Sequence, residues 1–407
     1  MKHSKKNQVI LSVVAAFGLL LAAFAPAVQT VVRLRAQSDL IQLADFSVPA
    51  QPVGWVCAVL LLATAAVSWL LYARDAKYPR YITPLFGLVF VVEVLVVLYA
   101  GKTLTLTALL AGSLALAVPL IFGSLAGVLS ERSGVVNIAI EGQLLSGAFV
   151  SALVASLTHS VWLGLIAASL AGVLVSWVLA VFAIKYVVDQ IIVGVVLNVL
   201  VVGLTNFLFS TLMTDLATYN APPRFDVLTI PLLSQIPVIG PVLFNQTPIV
   251  YLMYLSVAVV WTALFKTRWG LRVRAVGEYP KAADTVGIKV FRTRYVSVLL
   301  GGALAGLGGA FFTLGQVGAF GKEMTNGAGY IALAALIFGR WNPIYAALAA
   351  LLFGFSENLQ FGLAIIGSGV PSEFLLMLPY VLTVIAVAGL VGRVVAPAAD
   401  GKAYIKS

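Results

Sequence analysis

Gly123–Phe149 reads GSLAGVLSERSGVVNIAIEGQLLSGAF, a polar break between two apolar runs. It sets Glu131, Arg132, Asn137 and Glu141 between two long apolar runs. Charge so close to hydrocarbon is expensive and marks a functional place in a membrane protein. The rest of the chain supplies the hydrocarbon. Apolar residues make up 61% of the 407 and charged residues 10%, where a soluble domain carries about 25% charged residues. Mean hydropathy is +1.05. The expected fold is all-α, a polytopic integral membrane protein of about 10–12 transmembrane helices with some segments broken or re-entrant.

Working outward from this stretch, runs long enough to span occur at Val9–Val28, Gly54–Tyr72, Ile82–Ala100, Leu104–Leu129, Val135–Leu157, Val161–Val187, Ile191–Met213, Ile249–Phe265, Val296–Val317, Ile344–Ile366 and Glu373–Val391, with a shorter one at Tyr330–Phe338. Lys2, Lys5 and Lys6 precede the first run, and Ala23-Phe24-Ala25 resembles a signal cleavage site. Pro26 directly after it argues against cleavage, so an uncleaved first helix is expected. Starting inside and crossing at every segment places 20 of the 25 Lys and Arg in cytoplasmic loops. That bias orients the N-terminus toward the cytoplasm. It also disposes of nucleic acid as a partner, because the net charge of +10 is spread over loops that face the membrane.

Two loops are long. Thr214–Pro248 is rich in proline and reads as an ordered, partly helical outer lid. Lys266–Tyr295 is the most charged stretch, with eight basic and two acidic residues. Within it Glu278-Tyr279-Pro280-Lys281-Ala282-Ala283-Asp284 predicts a short helix. Pro280 suits a first turn, the alanines favour helix, and Gly287 can end it. Gly270 and Gly277 are expected to bend the approach. A loop that only enforced topology would need no such turn chemistry, so the helix reads as a docking element for a cytoplasmic partner.

In the opening stretch, Glu131 and Arg132 fall at a predicted membrane boundary, where headgroups would receive them. Asn137 and Glu141 are four residues apart, hence on one face if helical. They read either as an interfacial turn whose polar groups satisfy one another or as a wall of a translocation path. Asn198, Thr205 and Asn206 share roughly one face of a later run. Ser356, Glu357, Asn358 and Gln360 interrupt another, Gln316 closes a third, and Glu93 lies in the third span. Each alone is more often glue between helices. Together they would line a polar path for an uncharged, hydroxyl-rich substrate. Gly301-Gly302, Gly306 and Gly308-Gly309 are expected to pack helices closely.

Other chemistries lack residues. No glycine-rich phosphate loop followed by Lys-Ser/Thr occurs, so ATP hydrolysis by this chain is not expected. His3, His159 and Cys57 are too few and too scattered for a zinc site or a disulfide. No metal, cofactor or catalytic residue is expected, and His159 at a predicted boundary is a poor base for an intramembrane protease. An ion-driven secondary transporter stays open, in which the Gly270–Gly287 loop would be dispensable.

Four stretches carry a resemblance: SGVVNIAIEGQLLSGAF (Ser133–Phe149), VDQIIVGVVLNVLVVGLTNFL (Val188–Leu208), GLRVRAVGEYPKAADTVGIKV (Gly270–Val290) and GYIALAALIFGRWNP (Gly329–Pro343). They resemble bacterial ABC-transporter permeases of the branched-chain amino acid, ribose and simple-sugar class, and LSERSGVVNIAIEG is most similar to the nucleoside subgroup. Gln143 stands where many relatives have Met. The first three helices exceed what many members carry. The resemblance implies extra helices in 1–100, a permease domain in 101–393 with a coupling loop at 266–295, and a cytoplasmic tail at 394–407. It implies the permease half of an importer in the bacterial plasma (inner) membrane. Such a permease works with a cytoplasmic ATP-binding subunit, a second permease and an extracellular substrate-binding lipoprotein. Nucleosides are the expected substrate and ribose-like sugars the alternative. Asn137, Glu141, Asn198, Asn206 and Glu357 are the expected path residues. Glu278, Tyr279, Pro280, Lys281, Ala282, Ala283, Asp284 and Gly287 would form the coupling helix.

Overall fold

Long helices take up most of the chain because apolar runs in lipid must satisfy every backbone donor and acceptor within themselves. The computed structural model describes residues 5–34, 43–76, 79, 81–214, 216–367, 373–374, 376–377 and 395–406. In order the elements are α1 (Lys5–Ala23), β1 (Gln29–Arg33), β2 (Phe46–Pro49), α2 (Ala50–Ala73), α3 (Ile82–Leu98), β3 (Thr103–Thr105), α4 (Leu106–Glu131), α5 (Ile140–Thr158), α6 (Val161–Ala180), α7 (Gln190–Leu208), α8 (Ile239–Leu243), α9 (Pro248–Lys266), α10 (Arg268–Glu278), α11 (Pro280–Thr285), α12 (Val290–Ala310), α13 (Ala328–Phe338) and α14 (Pro343–Ile365).

Among the described residues, eight helices are long and apolar enough to cross a membrane, and Asn7–Ala23, Ile82–Leu98 and Ala328–Phe338 are apolar but shorter. The expected span Glu373–Val391 lies outside the described residues except for 373, 374, 376 and 377. Irregularity takes two forms. α13 has 11 residues, too few to span. α6, α7 and α12 each widen into a π-helical turn at their C-terminal ends, at Val181–Lys185, Phe209–Met213 and Phe311–Val317.

The chain forms two compact units. The first comprises 1–113, 230–245 and 355–392. In it α1, α2 and α3 pack through Leu11, Val14 and Ala15 against Leu61, Ala65 and Phe86. β1 pairs antiparallel with β2 and parallel with β3. These strands are three to five residues long, too short to show the period-2 alternation that announces a strand. Glu93 of α3 is fully buried, and neither of its oxygens meets a donor among the described residues. Gly18 of α1 leaves it room, since a Cβ there would lie 2.7 Å from its Oε2.

The second unit comprises 114–229, 246–354 and 393–407. α5 is its centre, packed against α6, α7, α12 and α13. Where α12 meets α6, the backbone at Gly172 and Gly302 is so close that neither position has space for a methyl group. Lipid offers no hydrophobic drive for helices to associate, so this close contact is what holds them. The expected packing role of the glycine run in α12 is what the structure has.

Candidate functional site

Eight residues, 132–139, connect α4 to α5. The turn closes through Gly134 N–H donating to Glu131 O at 2.9 Å and Val135 N–H to Ser130 O at 3.2 Å. Gly134 has φ +88°, and a Cβ there would lie 2.9 Å from Arg294 Nη2 and 3.0 Å from Ala399 O. Only glycine fits both conformation and space.

Glu131 and Arg132 are not given over to headgroups. Glu131 is buried and accepts a hydrogen bond from Trp341 Nε1 at 2.6 Å. Arg132 donates to Trp341 O at 2.9 Å and Arg340 O at 3.3 Å. Arg340 and Trp341 both take positive φ, 52° and 54°, so the chain reverses sharply after α13 and offers these groups to the turn. Burial lowers the proton affinity of Arg132, Glu278 opposes that, and Arg274 adds to it.

Asn137 lies ahead of α5, which starts at Ile140. The helical face expected for Asn137 and Glu141 therefore does not exist. Asn137 is fully buried and exchanges two hydrogen bonds with Gln143. Its Oδ1 accepts at 3.1 Å and its Nδ2 donates at 3.2 Å. Each amide thus meets one donor and one acceptor of the other, and Asn137 Nδ2 also donates to Ser130 Oγ at 3.4 Å.

Glu141, in the first turn of α5, is 7% exposed. Its Oε1 accepts from Thr325 Oγ1 at 2.6 Å and Gly327 N–H at 2.9 Å, and its Oε2 from Gly329 N–H at 2.6 Å. Helix α13 has no side-chain cap of its own at Gly327. Glu141 fills that role from another helix, and an acidic group suits the positive end of the α13 dipole. Asn198 of α7 adds a second clasp. Its Oδ1 accepts from Gly142 N–H at 2.8 Å, and its Nδ2 donates to Ile138 O at 2.9 Å and Tyr330 Oη at 3.1 Å.

Glu141 and Asn198 thus converge on the start of α13. Asn137 faces Gln143, and Asn206 donates to Glu323 Oε1 at 3.0 Å. Glu357 is half-buried on α14 in the first unit, where its neighbour Asn358 donates to Leu109 O at 2.7 Å. Gln143, Thr325, Gly327 and Gly329 are the residues that sequence pattern does not assign. Only Gln143 stands out there, as the departure from Met.

At the basic end, Thr267 caps α10 by accepting from Gly270 N–H at 3.1 Å. Gly270 and Gly277, expected as bends, are helical. Gly277 instead lets α10 lie directly against Arg132 O. α11 begins at Pro280, and Gly287 follows it with φ +85°, in agreement with the expected short helix. Ala283 packs inward with Val276, Val290 and Tyr404. Tyr279, Lys281, Ala282 and Val286 stay exposed.

Residues 109–387 match the family of the branched-chain amino acid transport system permease component. The chain belongs to this permease family. It is 41% identical over 314 residues to the guanosine ABC transporter permease protein NupQ of Bacillus subtilis (strain 168), covering 74% of this chain and 97% of that one. It is 43% identical over 321 residues to the nucleoside ABC transporter permease protein NupC of Lactococcus lactis subsp. cremoris (strain MG1363), covering 74% and 98%. A second Bacillus subtilis protein, the guanosine ABC transporter permease protein NupP, is 26% identical over 305 residues, covering 70% and 79%. No solved structure matches. The permease is a multi-pass membrane protein. Its turn, the clasp on α13 and α10–α11 lie inside the family match, while Glu93 and residues 395–406 lie outside it.

Proposed function

We propose that this permease forms the membrane path of an ATP-binding-cassette importer for nucleosides and works by alternating access. The observation that carries the reading is identity above 40% across nearly the whole length of two permeases named for guanosine and nucleoside transport. The exposed Tyr279, Lys281, Ala282 and Val286 support α11 as the docking helix for a separate ATP-binding subunit, with Glu278, Pro280, Ala283, Asp284 and Gly287 shaping it. With docking on that side, the basic loops and the N-terminus lie in the cytoplasm, the orientation that the bias of Lys and Arg supports. A second, dissimilar permease is the expected partner, since two guanosine permease proteins of Bacillus subtilis match at 41% and 26%. A lipoprotein on the opposite side would deliver substrate.

On this reading Asn198, Asn206 and Glu357 serve the path. Asn137 and Glu141 serve its gate, because the groups they hold, the turn and the start of α13, must move if the path opens. The test is uptake of labelled guanosine by liposomes containing the permease pair, the ATP-binding subunit and the binding protein. ATP-dependent uptake that unlabelled nucleosides suppress and ribose does not is the expected result. Suppression by ribose alone, or uptake driven by an ion gradient without ATP, would overturn it.

A further inference from the structure

Residues 395–406 fill the space between the docking helices and the α4–α5 turn. On one side, Ala399 N–H donates to Gly277 O at 2.8 Å and Ala398 N–H to Glu278 Oε2 at 3.2 Å. Lys406 Nζ lies 4.0 Å from Asp284 Oδ2 on α11. Tyr404 is buried with Val276, Ala283 and Val290, and its ring meets that of Phe291 at 5.3 Å. On the other side, a Cβ on Gly134 would lie 3.0 Å from Ala399 O, and one on Gly401 3.3 Å from Val136 Cγ2. Across the middle runs Arg294, 1% exposed, which donates through Nη1 to Lys402 O at 3.1 Å.

We infer that residues 395–406 are a positioning element of the transport step, which carries movement of α10–α11 to the Ser130–Asn137 turn and so to α5. This rests on the docking reading above. Two observations set the segment apart from a passive filler. It is hydrogen-bonded through its backbone to the end of α10 and lies in close approach to the turn at Gly134 and Val136, so it adjoins both ends of the linkage. It also borders unmet polar groups: Arg294 Nε and Nη2 of α12 and its own Asp400 Oδ1 are buried with no hydrogen-bond partner among the described residues. Buried polar atoms left without hydrogen bonds are costly. An arrangement in which Arg294 turns onto Asp400 would relieve both, and a two-position element is what coupling between distant sites requires.

The test uses the complete transporter in liposomes, with guanosine as probe and ATP hydrolysis and uptake measured together. Ala399→Pro removes the donor to Gly277 O. Arg294→Ala removes the cross-link, and Arg294→Lys restores a single donor. The expected result is that both disruptive variants assemble and hydrolyse ATP while guanosine moved per ATP falls by about tenfold, with Arg294→Lys recovering most of it. Should Arg294→Ala fail to fold, Ala399→Pro carries the test. Unchanged uptake per ATP in Ala399→Pro overturns this inference alone. A wild-type assembly that takes up no guanosine or hydrolyses no ATP overturns the functional reading, and this inference with it.

Discussion

Glu141 in α5 and Glu93 in α3 are both buried glutamates in apolar helices, and their surroundings differ completely. Glu141 accepts three hydrogen bonds and closes the start of α13. Glu93 accepts none among the described residues and lies in a notch at Gly18. Taking a carboxyl group out of water costs the same kind of energy in both places. At Glu141 the donors of Thr325, Gly327 and Gly329 offset it, and those donors in turn depend on Glu141. At Glu93 nothing described depends on the side chain. The lesson is that burial alone does not measure what a polar residue contributes; the groups it would leave unmet do.

The largest expected effect follows directly. Glu141→Ala orphans three donors, each costing about 1–3 kcal/mol when buried and unmet. A fall in unfolding free energy of the solubilised protein well beyond one hydrogen bond should accompany loss of uptake; a loss below about 1 kcal/mol would break the comparison. Glu141→Gln should recover only part, because its amide NH2 faces donors. Asn198→Leu comes next. It removes the bridge from Gly142 and Ile138 to Tyr330 and should cost about 1–3 kcal/mol in the same assay.

The Asn137–Gln143 pair sharpens the point. Asn137→Leu or Gln143→Met alone strands a buried amide and should destabilise by about 1–3 kcal/mol. The double variant should be less destabilised than the sum of the two singles, which a double-mutant cycle reads directly. Additive losses would mean the two amides do not depend on each other.

Asp400 lies between the two extremes. Burial pushes its carboxyl up to about 7, against a hydrogen bond from Gly401 and the charge of Arg294, both of which lower it; Glu131 of α4 also faces it. Its ordinary value is 3.8, so between these values the folded segment holds a proton that the unfolded one has lost. Attachment of residues 395–406 should therefore weaken as pH rises through about 7. Hydrogen exchange of this segment, corrected for intrinsic rates, should show that trend, and Asp400→Asn should abolish it. The smallest effect belongs to Glu93→Leu, which removes an unmet carboxyl and leaves no donor stranded. Stability should change by less than about 1 kcal/mol or rise. A marked loss would show that Glu93 has a partner after all.

The spans were legible because lipid imposes one solution on an apolar run. The segments expected from Val161, Ile191 and Ile249 match α6 with its π turn, α7 with its π turn, and α9 to within a few residues. The short helix α11 was legible for a local reason, since Pro280 starts it and Gly287 follows its end. Glu131, Asn137 and Glu141 stood out as misplaced polar residues, but their roles did not. Thr325 and Gly329 lie 184 and 188 residues from Glu141 along the chain, and no periodicity encodes such a distance.

The helical membrane architecture, the short helix α11 and the permease family can be read from the amino acids alone, because they follow from hydropathy, turn chemistry and local motif. Helix packing alone reveals that Glu141 caps α13, that Glu93 meets no donor among the described residues, and that residues 395–406 lie between α10 and the turn before α5. The reason is that a buried polar side chain is defined by its partners, and the partners are brought by helix packing rather than by neighbours in the chain.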